Sequence, residues 1–151
     1  MNLYITNWHY IVKLTHSIIS VTFLLISFWV IIRSVIGVVK NKAYSKLDKI
    51  LSYAFIINLY LQLIFGLILF SSLGSSLEYN HPDDLSGNDA SKRLWWIEHI
   101  VLMLFALFIA NLGLIISFKT SIGRDKHRKI LIYYLASLLM IALSLSTIYF
   151  L

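Results

Sequence analysis

Residues 95–118 read WWIEHIVLMLFALFIANLGLIISF, and this stretch decides the fold. It carries a single charged residue, Glu98, followed by a single histidine, His99. About 20 apolar residues in a helix are enough to cross the hydrocarbon core of a bilayer, and a helix satisfies its own backbone hydrogen bonds there. The stretch therefore predicts a transmembrane helix, with Trp95 and Trp96 at one membrane interface.

Three further stretches have the same apolar character. The chain of 151 residues is 59% hydrophobic and 13% charged, whereas about a quarter of the residues in a soluble domain are charged. The predicted spans cover residues 10–39, 50–71, 95–118 and 130–151. Their apolar residues do not alternate with period two, which argues against a barrel. We expect one all-α domain over residues 1–151, an integral membrane four-helix bundle of up-down-up-down topology.

Basic residues predict the orientation of this bundle. Ten of the thirteen Lys and Arg residues flank the first and third loops: Arg33, Lys40, Lys42, Lys46, Lys49, Lys119, Arg124, Lys126, Arg128 and Lys129. The positive-inside rule places those two loops in the cytoplasm, and the middle loop and both termini outside. Because the basic residues flank membrane spans, the net charge of +6 does not indicate a nucleic-acid partner.

Several kinds of catalytic and metal site are excluded by composition. The chain has no cysteine, so it has no disulfide, thiolate zinc site, iron–sulfur cluster or CxxCH haem attachment. The sequence also lacks a P-loop, a dinucleotide-binding fingerprint and a nucleophile–base pair. Catalysis by side chains alone therefore has no support in the sequence, and whether the protein is an enzyme stays open.

Two histidines fall inside the predicted spans, where ionisable residues are costly and indicate a functional site. His99 lies four residues past Trp95, and His16 lies six residues past Tyr10. At 1.5 Å per residue they sit about 6 Å and 9 Å below the outer interface. Since spans one and three run in the same direction and lie diagonally across the bundle, we expect both imidazoles at one depth.

Small residues on the other two helices fall at the same level. Each span carries one stripe of small or polar residues, which is typical of the inner face of a membrane bundle. Gly66 lies about 6 Å below the outer end of span two, and Ser144 lies at a similar level in span four. A haem held edge-on between helices needs two axial nitrogens and room near the backbone. We expect one haem b near the outer face, with His16 and His99 as axial ligands of the iron and Gly66 and Ser144 beside it.

Two other interpretations of these residues stay open. Both histidines could simply form hydrogen bonds within the bundle. A zinc or copper site on the outer face could instead combine members of a set of polar residues: His9, His16, His81, Asp83, Asp84, Glu98 and His99. Elsewhere, we expect His127 to be a solvated or interfacial residue, Arg33 to snorkel to the inner surface, and Asn58 and Gln62 to form interhelical hydrogen bonds.

Short motifs spread over nearly the whole chain carry a family resemblance. They are His16-Ser17, Lys46-Leu47-Asp48-Lys49, residues 62–69 (QLIFGLIL), Glu98-His99 and Ser117-Phe118-Lys119. With them the chain resembles small four-helix bacterial membrane proteins described as cytochrome b-like, although relatives tend to carry a histidine where Tyr60 stands. The layout also resembles a single-haem reduction of the four-helix core of respiratory cytochrome b. The resemblance implies a multi-pass protein of the bacterial inner (cytoplasmic) membrane.

Two functions follow as expectations. The first is electron transfer by a membrane-embedded b-type cytochrome, in contact with the lipid bilayer and with a quinone or subunits of a respiratory complex as partners. The second is a cofactor-free structural or assembly subunit of a larger membrane complex, in which the two histidines serve only to pack the bundle.

Overall fold

Four helices account for the fold. A computed structural model describes residues 2–77 and 87–150, with side chains for residue 8 and residues 10–71 and 97–146. The helices are α1 (Asn2–Val39), α2 (Lys46–Leu77), α3 (Gly87–Phe118) and α4 (Gly123–Phe150). No strand occurs within those ranges. The predicted all-α fold is confirmed.

Each helix contains a segment that is long and apolar enough to cross a membrane. These segments are Tyr10–Val39, Lys46–Ser71, Ile97–Phe118 and Gly123–Ser146. Bulky apolar side chains point outward along them, as shown by Leu25 and Phe28, which are 67% and 68% exposed. So large an apolar surface marks a membrane contact rather than a water-exposed face. The prediction of a four-span membrane protein is therefore confirmed.

The helices form a closed ring in chain order. α1 packs against α2, α2 against α3 and α3 against α4, and α4 returns to pack against α1. Short connections, residues 40–45 and 119–122, join α1 to α2 and α3 to α4, so consecutive helices run in opposite directions. The predicted up-down-up-down bundle is confirmed, and α1 and α3 lie diagonally across its core.

Aromatic and small residues share the centre of the bundle. The ring of Phe55 stacks on Tyr134 at 4.1 Å between centroids and contacts Phe23 at 5.0 Å. Ala106 and Ala110 on α3 are completely buried. Small residues let membrane helices approach closely, and the large rings then fill the space between them.

The turn between α1 and α2 is fixed by local backbone chemistry. Asn41 adopts a left-handed conformation with φ of 50°, and the amide of Lys42 donates to the carbonyl of Gly37 at 3.0 Å. This arrangement is a Schellman-type end for α1. Asparagine is one of the few residues that tolerate the left-handed backbone conformation it requires. Ser45 then begins α2, because its hydroxyl accepts from the amide of Asp48 at 3.3 Å, while the Asp48 carboxylate accepts from the amide of Ser45 at 2.8 Å.

Candidate cofactor site

His16 and His99 come together in the half of the bundle nearer the middle loop and both termini, which is called the outer half here. The opposite half, with the two short connections, is called the inner half. Both histidine side chains are half-buried, and they lie close enough to interact electrostatically although they belong to the diagonal helices α1 and α3. The sequence predicted this shared depth from residue spacing alone. The structure therefore brings the two predicted ligands into one layer.

Ser144 holds His99 from the neighbouring helix. Its Oγ lies 2.6 Å from Nδ1 of His99, a short hydrogen bond between α4 and α3, and Ser144 itself is completely buried. When Nδ1 carries the proton and donates to Ser144, Nε2 is left with its lone pair, as a metal-binding imidazole requires. Ser144 thus lies beside a predicted ligand, at the level that the sequence predicted.

Gly66 faces the other histidine. A Cβ atom built on Gly66 would lie 3.8 Å from Cε1 of His16, which is ordinary van der Waals contact, and would meet nothing else within 4 Å outside its own helix among the described residues. Gly66 therefore leaves open space beside His16 on the α2 side. The layer is completed by one residue from each helix: His16, Gly66, His99 and Ser144.

The α1–α2 side of the layer is tied by a chain of hydrogen bonds. The hydroxyl of Ser20 donates to the carbonyl of His16 at 2.8 Å, and the side-chain Nε2 of Gln62 donates to Ser20 Oγ at 2.8 Å. The predicted interhelical role of Gln62 is thereby confirmed. Asn58 differs, because its Oδ1 is buried without a hydrogen-bond partner. The Gln62 bond fixes α2 against α1 one turn below Gly66.

An apolar layer separates the histidines from the inner half of the bundle. Phe23, Phe55, Leu59 and Met103 are all buried there, and Met103 lies one turn below His99 on α3. Buried polar side chains accompany them, since Ser27 on α1 and Ser137 on α4 are 3% and 0% exposed.

The donors in this layer are two imidazoles from helices that lie diagonally across the bundle. Nδ1 of His16 is buried with no hydrogen-bond partner among the described residues. A haem iron takes axial nitrogens on its two faces, and glycine allows a ring edge to approach the backbone. Lys13 lies one turn outward of His16 and is exposed, where it could pair with a propionate.

The geometry of the described side chains does not support the alternative zinc or copper site. Among the described side chains, no three metal-ligating residues come together. Glu98 is exposed and next to His99 in sequence, about 100° away around the helix. The other members of that alternative set, His9, His81, Asp83 and Asp84, lie outside the described side chains.

A buried polar cluster at the inner end was missed by the sequence analysis. His127 was expected to be solvated or interfacial, but it is only 2% exposed, with Nε2 at 3.9 Å from Oδ2 of Asp48. The expectation for His127 was wrong, because the ring is enclosed between α1 and the turn before α2. Arg33 reaches the start of α2, where its Nε donates to Asp48 Oδ1 at 2.6 Å, and its side chain remains 33% exposed, which is compatible with the expected snorkelling.

Hydroxyl groups complete this inner cluster. The hydroxyls of Tyr44 and Ser52 are 2.7 Å apart, and Tyr134 donates to the carbonyl of Ser52 at 3.0 Å. Burial raises the pKa of the Tyr44 phenol, so that Tyr44 remains a neutral hydrogen-bonding group. A cavity of about 10 Å³, lined in part by Tyr44, Asp48 and Ser52, has room for one water molecule. The motif Lys46-Leu47-Asp48-Lys49 was the sequence signal for this cluster, because an acidic residue in the first turn of a helix typically caps that helix.

Comparisons with known proteins leave the family open. No protein-family model matches the chain, and no curated protein or solved structure matches it significantly. The resemblance to cytochrome b-like proteins therefore stays a prediction made from the sequence.

Proposed function

We propose that this protein is a b-type cytochrome-like electron-transfer protein of the bacterial inner membrane, holding one haem b near the outer face. The observation that carries the proposal is the layer of His16, Gly66, His99 and Ser144, to which each helix of the ring contributes one residue. Ionisable side chains within a membrane span are costly and mark functional sites by default, and here two of them share one layer.

The protein's own residues would hold, orient and shield the cofactor. His16 and His99 would supply the axial nitrogens, Ser144 would orient His99, and the apolar layer at Phe23 and Met103 would exclude water from below. Haem bound in this way supplies a reversible one-electron couple. No side chain need donate or accept a proton for such a step, which is consistent with the lack of a catalytic constellation in the sequence.

The orientation and the partners belong to the same proposal. The basic loops would face the cytoplasm, so both termini and the histidine layer would lie at the outer side. An electron donor or acceptor would then approach from the outer leaflet, either as a quinol or as a subunit of a respiratory complex. The distribution of lysine and arginine supports this orientation.

An absorbance spectrum tests the proposal. The protein is expressed with haem supplied and purified in a mild detergent, and spectra are recorded in oxidised and reduced forms. We expect a Soret band and a reducible α band that disappear in the His16→Ala/His99→Ala double variant. They should persist in His127→Gln, a control at a third histidine that is buried at the opposite end of the bundle. A folded wild-type protein without these bands would refute the proposal.

A cofactor-free structural or assembly subunit is the second candidate. The hydrogen bond between His99 and Ser144 favours it, because a packing histidine would make the same contact. In that case the protein would co-purify with a larger complex and carry no chromophore, and the double variant would change its stability without changing any spectrum.

A further inference from the structure

We infer that the two axial positions are unequal, with His99 the fixed ligand and His16 the exchangeable one. The reduced site would then bind a neutral diatomic molecule, of which carbon monoxide is the probe, on the His16 side. This inference rests on the proposed function, since it assumes that haem occupies the layer. It goes beyond that function because it adds a class of external ligand.

His99 is constrained by its surroundings. The 2.6 Å contact between Nδ1 and Ser144 Oγ restrains the rotation of the ring, and Ser144 is buried on the helix that packs most extensively against α3. When Nε2 of His99 binds iron, Nδ1 carries the proton and Ser144 is its acceptor. Hydrogen bonds of this kind orient a metal-binding histidine and raise its basicity. His99 would therefore be the stronger of the two ligands.

His16 lacks an equivalent support. When its Nε2 binds iron, its Nδ1 must carry the proton, and that nitrogen is buried with no acceptor. A buried donor without a partner is unfavourable, so any movement that releases the ring is favoured. The space beside Gly66 gives the ring somewhere to move, because a Cβ there would meet only His16.

Exchange at the His16 side is a simple substitution. The bond between ferrous iron and His16 Nε2 breaks, and a bond between iron and the carbon of carbon monoxide forms. No electron is transferred in this step, and the ferrous state is supplied beforehand by dithionite. The cost of burying a donor without a partner corresponds to a difference of about 5- to 150-fold between the affinities of the two histidines for the iron.

Carbon monoxide titration of the reduced holoprotein tests the inference. We expect the Soret band of the wild type to shift on addition of the gas. His16→Ala should keep its haem through His99 and bind carbon monoxide more tightly than the wild type, because no side chain then competes for that position. His99→Ala should hold haem about 5- to 150-fold more weakly than His16→Ala.

Two more variants separate the inference from general loosening of the bundle. Gly66→Ala places a methyl group in van der Waals contact with His16 and should weaken carbon monoxide binding by the haem that the variant holds. Ser144→Ala should shift the reduction potential of the holoprotein, because the iron-bound His99 loses the acceptor for its Nδ1 proton. Ser144→Thr should restore the potential.

The outcomes distinguish this inference from the function on which it rests. A wild-type protein that shows haem bands but no change under saturating carbon monoxide overturns the inference and leaves the function intact. Haem retained by His99→Ala but lost from His16→Ala also overturns it. A wild-type protein that shows no haem bands at all refutes the proposed function, and the inference fails with it.

Discussion

The imidazole of His127 on α4 lies directly against Gly37 on α1. It occupies the space that the side chain of any larger residue at position 37 would need. A Cβ atom on Gly37 would overlap the Cγ, Cδ2 and Nδ1 atoms of that ring. His127 is held in turn between the Tyr44 ring, 4.9 Å away between centroids, and the carboxylate of Asp48. The ring therefore cannot move aside without disturbing the inner polar cluster.

Gly37→Ala should destabilise the protein because it overpacks this contact. Overpacked sites typically cost about 1–3 kcal/mol, since neighbouring side chains leave their preferred rotamers. The measurement is thermal or denaturant unfolding in detergent. Gly66→Ala is the matched control: it is also a helical glycine facing a histidine, but a Cβ there makes only ordinary contact at 3.8 Å. Equal effects of the two substitutions would contradict this account.

Asp48→Ala should be among the most damaging single changes at the inner end. It removes the acceptor for Arg33 and for the Ser45 amide at once, so the start of α2 loses one half of its capping box. Loss of a cap costs about 1 kcal/mol, and loss of a hydrogen bond to a charged group costs about 1.5–3 kcal/mol. Unfolding of the purified protein measures the change.

Asp125 provides the control for that substitution. It is also an acidic residue in the first turn of a helix, α4, but no ion pair or side-chain hydrogen bond to it is found among the described residues. Asp125→Ala should therefore change stability by only a few tenths of a kcal/mol, as expected for a charge near a helix start. If Asp48→Ala were equally mild, the inner cluster would not stabilise the bundle as described.

Tyr134→Phe should cost stability although it removes a single oxygen. The Tyr134 hydroxyl is buried and donates to the carbonyl of Ser52 on α2, so its loss removes a hydrogen bond between α4 and α2. The expected cost is about 0.5–1.5 kcal/mol. Tyr133→Phe is the neighbouring control, because no hydrogen bond from the Tyr133 hydroxyl is found among the described residues. A similar loss in both variants would contradict the assignment.

Sequence alone predicted the features that depend on periodicity and charge, and it missed those that depend on side-chain pairing. The spans follow from apolar length, and the common level of His16, Gly66, His99 and Ser144 follows from the fixed rise of a helix. The burial of His127 could not be predicted in this way. It depends on Asp48 facing inward and on Gly37 making room from another helix, and neither relationship has a periodic signature.

The absence of cysteine makes the predicted orientation directly testable. Single cysteines introduced as Lys42→Cys, in the first basic loop, and Ser86→Cys, in the middle loop, give one reactive thiol each without altering a span. In intact spheroplasts a membrane-impermeant maleimide should label Ser86→Cys at once, and Lys42→Cys only after permeabilisation. The physical reason is that ten basic residues flank the inner loops and resist transfer across the membrane. Ile122→Cys, in the other basic loop, should behave like Lys42→Cys. The reverse labelling pattern would place the histidine layer at the cytoplasmic side and would require the redox partner to approach from there.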